Sequence, residues 1–162
     1  MKLSYLFKED IVSDTFYISS VLEANEYGIR VVGDTFTPAK LKNDERAIIV
    51  KEDGEIIIYV STCDTLEEQR FAIAHALGHY VCGHLNENKT VFRDGNKEYS
   101  EDNYDSQECE ANNYAADLLM PVEKIEFLMN NKGYNKIEDL ASALIVSYSD
   151  MSTRLKDLGW IS

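Results

Sequence analysis

Histidine is scarce in this chain of 162 residues: there are three, and all lie inside "AIAHALGHYVCGH", residues 72–84. Basic residues are also few, 16 against 29 acidic ones, which leaves a formal charge of −13. A surface that acidic repels phosphate backbones, so autonomous nucleic-acid binding is not expected; it suits a basic partner, or simply keeps the chain in solution. No apolar run reaches membrane-spanning length, so no segment is expected to cross a bilayer. The N-terminal "MKLSYLFKEDIVSD" has neither the apolar centre nor the small-residue cleavage site of a signal peptide, and a cytoplasmic location is expected. Cys63, Cys82 and Cys109 are odd in number and lack a paired short spacing, so they read as reduced thiols rather than a disulfide framework. No internal repeat and no Pro- or Ser-rich linker divides the chain. Length and a 44% hydrophobic content predict one domain over residues 1–162, with a helical subregion at about 134–162.

What is present reads as α+β. "DIVSDTFYISSVLEANE", residues 10–26, predicts a first helix with Ile11, Phe16, Ile18, Val21 and Leu22 on its apolar side, and "YGIRVVGD" a short strand. In "RAIIVKEDGEIIIYVS" two β-branched runs flank Asp53-Gly54, the signature of an antiparallel hairpin. Thr65 with Glu68 three residues on forms a capping box before "QRFAIAHALGHYVC". Residues 86–105 are polar and aperiodic and read as a long exposed loop. "DSQECEANNYAADLLM" predicts a helix ended by Pro121, which also opens "PVEKIEFLMNN", stopped at Gly133. Two more helices, joined near Val146-Ser147, complete the chain.

His75 and His79 are four apart and share a helix face, so both rings can address one metal ion. Ala74 and Ala76 keep the neighbouring positions small, and Gly78 allows another segment to approach closely. His84, nine residues after His75, points away on a continuous helix and reads as a surface histidine beyond the helix end, with Gly83 as the stop. The third ligand should then be a carboxylate. Glu108 is favoured, because Asn112 lies four residues later on the same face, where its amide can orient a ligating histidine; Glu110 is the alternative. A thiolate is a weaker candidate, since Cys82 is offset from the histidine pair and Cys109 has a glutamate on either side.

"RFAIAHALGHYVCGH" followed by "ECEANNYAADLLMP" resembles the ImmA/IrrE family of zinc metallopeptidases, and "LASALIVSYSDMSTRLKDLGWI" is similar to that family's terminal helices. The likeness spans about residues 45–160. It implies a small antiparallel sheet packed on a zincin-type active-site helix, with Zn2+ held by His75, His79 and Glu108. It also implies cleavage of a cognate helix-turn-helix repressor. Where the family carries its catalytic glutamate, this chain has Ala76. That glutamate takes a proton from the attacking water and returns one to the leaving amine, and alanine has no group that can do so.

Ala76 therefore predicts an inactivated endopeptidase. With every surrounding position still matching the pattern, a deliberate glutamate-to-alanine change explains it better than a natural pseudopeptidase that sequesters a repressor or toxin partner. Substrate is expected to add as a strand beside "EIIIYVS", and loop 86–105 to close over it. Tyr80 and Tyr148 are possible oxyanion donors, although nothing in their spacing separates them from packing tyrosines. A DNA-binding role for the C-terminal helices is disfavoured, since Arg154 and Lys156 alone make a poor phosphate anchor.

Overall fold

In the computed structural model, which describes residues 19–34, 41, 45–86, 91–94 and 106–162, ten elements follow one another. They are α1 (Ser20–Glu26), β1 (Arg30–Asp34), β2 (Ala47–Glu52), β3 (Glu55–Ser61), α2 (Leu66–Val81), β4 (Val91–Asp94), α3 (Ser106–Leu119), α4 (Val122–Lys132), α5 (Ile137–Leu144) and α6 (Tyr148–Asp157). The fold is α+β and mainly helical. Residues 10–18 of the expected first helix lie outside the described residues. Its remainder, α1, begins where the Ser19 hydroxyl accepts the Leu22 N–H at 3.3 Å. Val21 is buried there, but Leu22, expected beside it, is 48% exposed: α1 buries the line Ser20, Val21 and Ala24.

The β-branched runs form the centre of the sheet. Asp53 (φ 49°) and Gly54 (φ 82°) both take left-handed backbone, the requirement of the tight turn whose twist matches its two strands. Strand order is β1-β3-β2-β4, with β2 antiparallel to both its neighbours and β1 parallel to β3. The sheet is therefore mixed rather than wholly antiparallel, because β1 pairs with the second strand of the hairpin, which runs in its own direction. β4 corrects the expectation of an unbroken loop over 86–105. The open edge of β2 pairs with residues 91–94, a segment too short to show a period in sequence; residues 87–90 and 95–105 lie outside the described residues. β3 is paired on both sides, so a substrate strand has no place beside it. Among the described residues the sheet's edges are β1 and β4.

Alternation along the strands sends Ile49, Ile58 and Val60 to one core, shared with Ala72, Ile73, Ala76 and Leu77 of α2, while Ile48, Val50 and Ile57 line the opposite face. α2 starts at the capping box, Thr65 Oγ1 accepting from Glu68 N–H and Glu68 Oε2 from Thr65 N–H. Every residue from Ala72 to His79 is buried. The reason is that α2 lies between the sheet and α3, and its other side joins a second core with Leu119, Ile125, Leu128, Leu140, Leu144 and Met151. The α2–α3 approach is set at Gly78, where a Cβ would sit 2.8 Å from the Ala111 carbonyl oxygen and 2.9 Å from its Cα.

A buried arginine ties α2 to the C-terminal helices. Arg70 donates from Nε to the Ile145 carbonyl at 3.0 Å and from Nη2 to the Leu144 carbonyl at 3.4 Å. These are end-of-helix acceptors of α5, and Ile145 is a β-branched residue held at φ 52°. A positive charge placed there satisfies carbonyls that the helix leaves open and helps hold an unfavourable backbone conformation. Arg70→Met should lower the unfolding free energy by about 2–4 kcal/mol in urea, since charged hydrogen bonds are lost and buried carbonyls are left open. Arg46→Met, which breaks a largely exposed pair with Glu68, should change it by less than about 1 kcal/mol. Equal effects would show that Arg70 acts by bulk alone.

Candidate metal centre

The helix spacing brings the two imidazoles together: Nε2 of His75 and Nε2 of His79 are 3.0 Å apart. The carboxylate that meets them comes from the first turn of α3. Glu108 Oε2 lies 3.1 Å from His75 Nε2 and Oε1 lies 3.2 Å from His79 Nε2. Both histidines are buried, at 3% and 2% exposure, while Glu108 keeps one side open. Asn112, one turn further along α3, accepts the His75 Nδ1–H through Oδ1 at 2.8 Å. An amide oxygen there favours a hydrogen on Nδ1, which makes Nε2, facing Glu108 and His79, the nitrogen that would meet a metal.

These separations test the site for a metal. A tetrahedral zinc with bonds of about 2.0–2.1 Å has donor–donor edges of about 3.3 Å. The histidine–histidine separation and the contact each carboxylate oxygen makes with one ring are within a few tenths of that value. One ligand atom from each residue lies within 4.8 Å of the other two, and imidazole nitrogen with carboxylate oxygen is a donor set that zinc takes. The electrostatics agree. Burial pushes the His79 imidazole below its ordinary pKa, which favours the neutral ring that ligates. Burial pushes Glu108 up, but its contacts with His75 and His79 outweigh this and hold it well below the usual carboxylate range, as the ionised donor.

His84 corrects the expectation of a surface histidine: it is 4% exposed. The helix does not run on to it. Gly83, at φ 76°, turns the chain, with Gly83 N–H donating to the Tyr80 carbonyl and His84 N–H to the His79 carbonyl. This Schellman turn lays His84 back over the last helical turn. Its Nδ1 is 2.9 Å from Nδ1 of His79, and its Nε2 is 3.0 Å from Glu110 Oε2. Glu110 therefore faces His84 rather than the histidine pair. On a continuous helix His84 would point away; the Gly83-His84 step is the signal that the helix ends and the chain turns back.

The cysteines stand apart from the three converging donors. Cys82 is exposed beside His84 and Glu110, and burial together with the Glu110 charge pushes its thiol pKa up, away from thiolate. Cys109 is half-buried and belongs to neither cluster of ligand-type side chains found among the described residues. Ala76 is 3% exposed and part of the core between α2 and the sheet. Tyr80 packs edge-on against Tyr27, and Tyr148 is 54% exposed at the start of α6. Arg154 is engaged by Asp117 at 2.7 Å and by the Met120 carbonyl at 3.2 Å.

No helix among the described residues is long and apolar enough to cross a membrane. Residues 24–156 match the family model Peptidase_M78, described as an IrrE N-terminal-like domain. Comparison with curated proteins finds no match.

Proposed function

The chain belongs to the Peptidase_M78 family of IrrE N-terminal-like domains, and on that footing we propose that it is a zinc endopeptidase domain directed at a helix-turn-helix repressor, with hydrolysis disabled at position 76. His75, His79 and Glu108 hold the metal, and Asn112 orients His75. A zinc ion in that place supplies Lewis-acid polarisation of water and of the scissile carbonyl. The chain's own part is to present three deprotonated donors from two buttressed helices and to fix the tautomer of His75. The observation that carries the reading is the convergence of His75, His79 and Glu108, with carboxylate oxygens 3.1 and 3.2 Å from the two ring nitrogens and those nitrogens 3.0 Å apart. The partner is a protein, and the engagement of Arg154 with α3 supports a packing role for the C-terminal helices instead of phosphate binding. Sequestration of a repressor or toxin without cutting is the second reading, favoured by Ala76 alone.

Competition against a chelating zinc indicator, with elemental analysis, tests the centre. The unaltered chain should take up one zinc per molecule, and His79→Ala, with one of three ligands gone, should lose stoichiometric uptake. Equal affinity in the two proteins would remove the proposed centre.

A further inference from the structure

We propose that His84 and Glu110 are positioning residues that fix the tautomer of His79 and so present its Nε2 lone pair to the metal. The inference rests on the reading of His75, His79 and Glu108 as ligands, and it follows from counting protons along a chain of contacts. A carboxylate accepts only, so the 3.0 Å contact between His84 Nε2 and Glu110 Oε2 places a proton on that nitrogen. His84 Nδ1 is then the ring nitrogen placed to accept. It lies 2.9 Å from His79 Nδ1 and must receive its proton. With a metal seated among His75, His79 and Glu108, His79 consequently carries its hydrogen on Nδ1 and turns its Nε2 lone pair to the ion. Reversing the direction anywhere along the chain would put a hydrogen on the His79 atom that faces His75 and Glu108.

The two ligating rings are thus oriented by different devices. His75 has an amide oxygen from α3, whereas His79 has a second imidazole carried back by the Gly83 turn and anchored by a carboxylate from α3. The arrangement also accounts for two otherwise unexplained features: a buried histidine just past a helix end, and a glutamate, 56% exposed on its side chain, held against it. Cys82, His84 and Glu110 offer ligand atoms within 4.8 Å of one another. A metal on His84 Nε2 would force the His84 proton onto Nδ1, against His79 Nδ1–H, so a second ion there conflicts with zinc on His79.

The experiment compares zinc affinity, by indicator competition, in the unaltered chain and in His84→Leu, His84→Gln and Glu110→Leu. His84→Leu should weaken binding by about 10- to 100-fold, the range seen when an outer partner of a ligating histidine is lost. Glu110→Leu, on a side chain that is 56% exposed, should weaken it by about 10-fold. His84→Gln, whose amide oxygen can take the His79 proton, should recover part of the loss. Nitrogen NMR of the histidine rings in the zinc-loaded protein should find hydrogen on Nδ1 of His79 and Nε2 of His84. Unchanged affinity in His84→Leu and Glu110→Leu, or equal losses in His84→Leu and His84→Gln, would overturn the assignment. So would a second zinc abolished by Cys82→Ser. No uptake by the unaltered chain would instead remove the zinc reading, and this inference with it.

Discussion

On the proposed reading, Ala76→Glu is expected to raise cleavage of a helix-turn-helix repressor by about 10²- to 10⁴-fold, the usual worth of a positioned general base. The residue sits one step after His75 on the helix that brings His75 and His79 together, and in the proposed site it is the position of the proton carrier. A carboxylate there can take a proton from the attacking water and hand one to the leaving amine. The check is electrophoresis of purified repressor incubated with zinc-supplied protein, with Ala76→Glu/His79→Ala as the control that keeps the base and loses a ligand. Because position 76 is 3% exposed, the new side chain should also cost stability without metal, about 1–3 kcal/mol for a polar group buried without a full set of partners. Zinc should restore part of it. A zinc-loaded Ala76→Glu protein that still binds its repressor and leaves it whole would establish sequestration as the natural activity.

Much of this centre was legible because helical spacing is a strict geometric rule. Two histidines four apart must share a face, and a glutamate and an asparagine four apart on a second helix must share another. The hairpin and the capping box were legible for the same reason: each is a local bargain settled by neighbouring residues, Asp53 with Gly54 and Thr65 with Glu68. What escaped depends on contacts distant in sequence. β4 exists because β2 presents an open edge, and nothing in "VFRD" itself demands a strand. The parallel pairing of β1 could not be read from a hairpin pattern, and it is what makes β3 interior. His84 was misplaced because helical periodicity was carried one step past the residue that ends it. A glycine at positive φ reverses the chain, and the side chain that follows lands on the turn it would otherwise have left.

Gly78 joins the fold to the site, and its replacement should affect both. In an ordinary helix interior, glycine to alanine stabilises by roughly 0.5–1 kcal/mol. Here a Cβ would stand 2.8 Å from the Ala111 carbonyl oxygen and 2.9 Å from its Cα, and these are backbone atoms that cannot swing aside. The helices must part, and overpacking of this kind costs about 1–3 kcal/mol, enough to outweigh the helix gain. Gly78→Ala should therefore be less stable in urea, and Gly78→Val, with a larger branched side chain at the same contact, less stable again. Ala111 lies between Glu108 and Asn112 on α3, so any retreat of that helix lengthens the contacts each makes with the histidines. Zinc affinity should fall by about 10-fold or more in the same variant, as when a ligand's support is lost, although no donor has been changed. A Gly78→Ala protein that gains stability and binds zinc normally would mean that the helices do not meet backbone to backbone. The same closeness is what lets a short carboxylate from α3 reach two rings on α2, so the glycine is as necessary to the centre as the donors it brings together.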